Sequence, residues 1–176
     1  MTVSNRPLGA EELERFGQEL DYAATAPDFV GLAVAVVKDG AVVMTKTYGV
    51  REAGGTQPIT PDTVFRLASL SKGFAGTLAV MEEKDGKLDL QQKVTTLVPE
   101  FKLKRPGDAQ KVTFEDVLSH RTGLPPYAYD NLLESGTPPS QILSKYASVK
   151  QTCRPGECFT YQNTAFNMIT AAIEKG

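Results

Sequence analysis

The chain has 176 residues, 41% hydrophobic and 23% charged, with a formal net charge of −2. Its length fits one globular domain, and its composition excludes a disordered chain. The charge argues against a basic nucleic-acid binder; the densest basic stretch, Lys102, Lys104 and Arg105, reads as a solvated loop.

The elements follow in chain order. Residues 9–24 are expected to be helical: Leu13, Phe16, Leu20 and Ala23 recur at helical spacing, acidic residues Glu11, Glu12 and Glu14 enrich the first turns, and Pro27 ends the pattern. Residues 30–50 predict a β-hairpin. Leu32, Val34 and Val36 alternate with Ala33, Ala35 and Val37, Asp39-Gly40 offers the positive φ angles of a two-residue turn, and Val42, Met44 and Tyr48 continue on the return strand. A loop rich in Gly, Thr and Pro covers 54–61. From Ser69 to Glu83 the pattern is helical through Phe74, Leu78 and Met81, closing at Asp85-Gly86. Residues 87–112 look irregular. Thr113 is placed to cap a short helix, with Asp116 completing a capping box. Ser140 opens another helix, with Ile142, Leu143 and Tyr146 on one face. Asn163 is expected to open the last, burying Phe166, Ile169, Ala172 and Ile173. A lone hairpin is marginal in water, so the chain is expected to be part of a larger fold.

No apolar run approaches the roughly 20 residues a membrane helix needs. The N-terminus lacks the apolar stretch of a signal peptide. Cys153 and Cys158 are the two cysteines, with Pro155 and Gly156 between them; a disulfide and two unrelated thiols both stay open. The single histidine, His120, is distant in sequence from the cysteines, which disfavours a metal site.

Two clusters can carry chemistry. In Ser69-Leu70-Ser71-Lys72, a helical start puts Ser69 and Lys72 on one face. A serine hydroxyl is a poor nucleophile until something takes its proton. A lysine can do so only as the neutral amine, which burial favours, and Phe65, Leu67, Leu70 and Phe74 flank the pair. A helix N-terminus also presents backbone N–H groups to a developing oxyanion. The plain alternative is a capping serine beside an exposed lysine. In Tyr161-Gln162-Asn163, a phenol with an ordinary pKa of about 10 is a proton donor that a neighbouring ammonium can convert into a base. Asn163 offers a donor and an acceptor to a substrate amide or ester. The plain alternative is a core tyrosine followed by a helix cap. Tyr129-Asp130-Asn131 shares the Y-x-N spacing, and pattern alone does not choose between the two.

The segment from Thr63 to Lys72 closely resembles the nucleophile segment of class C β-lactamases and their relatives, which include D-alanyl-D-alanine carboxypeptidases and β-lactamase-like esterases. Four further pieces resemble the family in its order: the hairpin from Gly31 to Gly49; Gly86-Lys87-Leu88-Asp89-Leu90 after the nucleophile helix; Asp116 to Pro125, similar to D-L-L-x-H-x-S-G-L-P; and Pro155 to Phe166, similar to P-G-x-x-F-x-Y-S-N. The resemblance covers the chain from about residue 10.

It implies an α+β fold of the β-lactamase and penicillin-binding type, a helical region on an antiparallel sheet. Residues 1–176 would be the N-terminal part of one serine hydrolase domain, with a helix and hairpin over 9–50 and a mostly helical region over 60–176. It implies Ser69 as nucleophile, Lys72 and Tyr161 as its acid–base partners, Asn163 as a substrate ligand, and a structural His120. No metal or organic cofactor is required. The substrates would be small acylated compounds or cell-envelope components, with an esterase or peptidase-like hydrolase favoured over a β-lactamase. The location would be a bacterial periplasm or secreted, with the cytoplasm as alternative. Two departures stand out. Gln162 replaces a common Ser, and the third motif, K-T-G or H-x-G on a later strand, is absent. Activity is therefore expected to need residues outside this chain, supplied on a complementary C-terminal portion of the same fold. The competing reading is a non-catalytic binding or regulatory module, or an inactive fragment.

Overall fold

A computed structural model describes residues 9–175, which form two compact units divided between Arg66 and Leu67. The first unit opens with helix α1 (Ala10–Ala23). The Gly9 amide donates to the Glu12 carboxylate at 3.0 Å, satisfying one of the orphan donors of the first turn. Strands β1 (Gly31–Lys38) and β2 (Ala41–Gly49) pair antiparallel, with Ala33 opposite Thr47 and a register shift at Val36/Val37. Asp39 and Gly40 have φ of 52° and 77°, the left-handed pair that a two-residue hairpin turn demands. Leu32, Val34 and Val36 face inward, as their alternation requires. Polar contacts tie α1 to β2: Lys46 Nζ reaches Asp21 Oδ1 at 2.7 Å, the Tyr48 hydroxyl donates to the same oxygen at 2.6 Å, and Lys46 also donates to the Gly17 carbonyl.

The second unit holds the main hydrophobic core. A 3₁₀ turn over Ala68–Leu70 leads into α2 (Ser71–Lys84), which ends at Gly86 with φ of 73°. Residues 87–112 are irregular apart from two 3₁₀ turns. Helix α3 (Phe114–Leu118) has the expected capping box. Thr113 Oγ1 accepts from the Asp116 amide, and Asp116 Oδ2 accepts from the Thr113 amide, both at 3.1 Å. Then come α4 (Asp130–Glu134), α5 (Pro139–Lys145) and α6 (Ile169–Ile173). Val94, Phe101, Val112, Phe114, Leu124, Ile142 and Tyr146 are fully buried among them.

The structure departs from expectation at four places. Helix α4 has no cap signal in the sequence; it starts from Tyr129, whose φ is +61°. Helix α5 starts one residue early because Pro139 suits a first helical turn. Asn163 sits in a bend, and the last helical stretch begins three residues later as a 3₁₀ turn, Phe166–Met168. The stripe formed by Leu70, at the end of the 3₁₀ turn, and Phe74, Leu78 and Met81 along α2 is exposed, Phe74 at 70%, whereas Ala79 is the residue that reaches the core.

Cys153 and Cys158 form a disulfide, with their Cα atoms 6.2 Å apart. The bridged segment is laced to residues 120–123: the Thr152 amide donates to Gly123, the Gly156 amide to Arg121 and the Thr160 amide to His120, at 2.8–2.9 Å. Gly123 has φ of 85°, and a Cβ there would lie 2.7 Å from the Cys153 carbonyl oxygen. Gly123→Ala is therefore expected to destabilise the protein by about 2–5 kcal/mol, combining left-handed backbone strain with backbone overlap. A urea titration would read this as a lower midpoint.

Candidate active site

Every residue of the candidate site lies in the second unit. The 3₁₀ turn entering α2 presents Ser69 at the surface, directly after Ala68, a non-glycine residue with φ of +47°. Such a conformation costs about 1–2 kcal/mol for an L-residue, and strain of this kind gathers at functional sites. One helical turn on, Lys72 Nζ lies 3.2 Å from Ser69 Oγ. The Tyr161 hydroxyl donates to the same oxygen at 2.8 Å. Lys72 also donates to Asn163 Oδ1 at 2.9 Å, and its Nζ lies 5.0 Å from the Tyr161 ring centre and 5.5 Å from that of Phe166. Two acceptors and two aromatic faces make this a setting for a cation.

Hydrogen bonding to Lys72 lowers the Tyr161 pKa from its ordinary 10, with a further contribution from Ser69, while the charge of Asp130 opposes the shift. The backbone lacing of 152–160 onto 120–123 sets the position of Tyr161. His120 supports it from below. Its ring lies 4.6 Å from Tyr161 and 5.4 Å from Phe166, and Nδ1 accepts from the Gln162 amide at 3.2 Å. Burial first, and then the charge of Lys72, lower the His120 pKa from 6.5, so the imidazole is neutral at pH 7.

Lys72 and Tyr161 thus meet at Ser69 Oγ and Asn163 joins through Lys72, across 91 and 92 residues for the pairs Lys72–Asn163 and Ser69–Tyr161. The rival Tyr129 is occupied elsewhere, its hydroxyl within 3.1 Å of Ser148 Oγ. The apolar enclosure expected around Ser69 and Lys72 is not formed: Phe65, Leu67, Leu70 and Phe74 are all exposed. Polar and π contacts, rather than apolar burial, define the position of the lysine. Asn163 is likewise not a helix cap. Its Nδ2 donates to Asp130 Oδ2 at 2.5 Å. Sequence reasoning missed Asp130, although it lies in the discarded Y-x-N match; that acid within the match was the only available signal. Gln162, the departure from the common Ser, is buried and donates to the carbonyls of Pro125 and Leu124. Among the described residues, no group of three or more His, Cys, Asp or Glu is arranged to hold a metal ion.

A serine at the head of a helix thus has a lysine one turn on and a tyrosine from a distant loop within hydrogen-bond reach. The family model for Beta-lactamase matches residues 18–175, and the chain belongs to that family. An unguisins hydrolase of Aspergillus campestris is 32% identical over 179 residues, covering 97% of this chain. Among solved structures, the octameric penicillin-binding protein homologue from Pyrococcus abyssi aligns with a TM-score of 0.70 and 29% identity, over 94% of this chain and 38% of its own. A class C β-lactamase aligns with a TM-score of 0.73 and 25% identity, over 95% and 44%. The chain has the β-lactamase and penicillin-binding-type fold, and it spans 29–32% of the length of the curated relatives it matches. No helix among the described residues is long and apolar enough to cross a membrane.

Proposed function

We propose that Ser69 is the nucleophile of a serine hydrolase that works through an acyl-enzyme, on ester or peptide-like acyl substrates. One observation carries this: Ser69 Oγ receives hydrogen bonds from both Tyr161 and Lys72. With Tyr161 ionised beside the Lys72 ammonium, the first of these bonds reverses and the serine proton passes to the phenolate oxygen. Ser69 Oγ then bonds to the substrate carbonyl carbon. Tyr161 returns the proton to the leaving group, and water repeats the sequence to release the acid. Asn163, already holding Lys72, has the second lone pair of its carbonyl free to meet a substrate donor. The name of the Aspergillus campestris relative supports hydrolysis.

The structural relatives are more than twice as long as the aligned region, at 38% and 44% coverage. Activity is proposed to need a companion portion of the same fold, which would cover the exposed α2 stripe of Leu70, Phe74, Leu78 and Met81. The disulfide supports a periplasmic or secreted location. The test is turnover of nitrophenyl esters, a penicillin and a D-alanyl-D-alanine peptide, with acid-quenched samples weighed for an acyl adduct. With the companion portion of the fold present, ester turnover with an adduct on Ser69 is expected; turnover that survives Ser69→Ala would refute the assignment.

A further inference from the structure

Asp130 has no role in the sequence of steps above, yet it touches the site. Its Oδ2 accepts from Asn163 Nδ2 at 2.5 Å, while Asn163 Oδ1 accepts from Lys72 Nζ at 2.9 Å. An amide can bind in two orientations related by a flip, and its neighbours decide which is populated. A carboxylate only accepts and an ammonium only donates. Flipping Asn163 would oppose carbonyl to carboxylate and NH₂ to ammonium, losing both hydrogen bonds and adding two repulsions.

The chain places this carboxylate with some effort. Tyr127 and Tyr129 both take left-handed φ, +55° and +61°, on either side of Ala128, so that α4 begins at Asp130. The Asp130 amide donates to the Tyr127 carbonyl at 3.1 Å, and the Tyr127 amide to the Tyr161 carbonyl at 3.0 Å. Gln162 pins the same loop through the Pro125 carbonyl. The loop carrying Asp130 is therefore anchored on both residues that precede Asn163.

We propose that Asp130 is a positioning residue that fixes the Asn163 amide with its carbonyl toward Lys72, and through it fixes the ammonium over Ser69. This rests on the hydrolase assignment only for its catalytic consequence; the orientation itself stands apart from activity. The test therefore has two readouts on the intact protein. In asparagine-labelled protein, the Asn163 side-chain NH₂ resonance is identified by its loss in Asn163→Ala. It is expected to exchange with solvent roughly tenfold more slowly than the exposed Asn167 amide, as suits a charge-assisted hydrogen bond. Asp130→Ala should abolish that protection with the Asn167 signal unmoved, and Asp130→Asn, whose amide oxygen still accepts, should retain part of it.

The second readout is Ser69 labelling by a fluorophosphonate, expected to slow roughly tenfold in Asp130→Ala through the loss of one charge-assisted bond, and less in Asp130→Asn. An unprotected Asn163 amide in the wild type, or protection unchanged in Asp130→Ala, overturns the proposal. Protection lost in the variant while the wild type resists labelling with the companion portion of the fold present would uphold the orientation and count against the hydrolase assignment alone.

Discussion

Lys72→Met is expected to slow acylation of Ser69 by about 10³-fold or more, the scale of a positioned proton-transfer partner. The lysine amine is the hub of the site: one nitrogen meets Ser69 Oγ, Asn163 Oδ1 and the faces of Tyr161 and Phe166. Methionine keeps a stem of similar length against the two rings but removes every donor and the charge. Tyr161 would then lose the main influence that lowers its pKa. Stability should change little, because the lysine is only half-buried and its apolar stem is replaced. Lys72→Arg is expected to fail nearly as badly: the planar fork does not reproduce a compact ammonium among three partners. Single-turnover rates with an activated ester, beside a thermal melt of each variant, check both claims. A rate loss under tenfold with an intact melt would remove Lys72 from the mechanism.

Tyr161→Phe is expected to cost about 10²–10⁴-fold in the same step. The change deletes only the hydroxyl 2.8 Å from Ser69 and leaves the ring stacked on His120. It should also change the pH profile. The active form of Tyr161 as a base is the phenolate, so the wild-type rate should rise with pH as the phenol ionises. Lys72 and Ser69 lower that pKa, which moves the rise to lower pH than an ordinary phenol would give. Because Lys72 and Tyr161 interact directly, the titration belongs to the pair rather than to either residue. The phenylalanine variant should lack this rising limb. A profile of unchanged shape after Tyr161→Phe would show that the limb comes from another group.

Local chemistry was legible in the sequence wherever near neighbours determine it. The left-handed pair Asp39-Gly40 and the reciprocal Thr113–Asp116 cap depend on residues at most three apart, and both formed as the pattern requires. Ser69 and Lys72 are one helical turn apart, so their pairing also followed from spacing. The choice of Tyr161 over Tyr129 needed the surrounding motif, because the two differ only in where the chain carries them. Asp130 was out of reach for the same reason: it meets Asn163 across 33 residues, through a loop bent at two left-handed tyrosines that no local preference predicts. The α2 stripe gave the helix but not its surroundings. Helical periodicity identifies an apolar face, but not whether this chain covers it, and Leu70, Phe74, Leu78 and Met81 remain exposed.

The central claim is that Ser69 is an activated nucleophile, and covalent labelling tests it most directly. Folded protein would be incubated with a fluorophosphonate, together with any companion portion of the fold, and weighed intact beside Ser69→Ala. A single adduct on the wild type that disappears in Ser69→Ala is the predicted result. A folded protein that takes no adduct, or an adduct that persists in Ser69→Ala, would contradict the account.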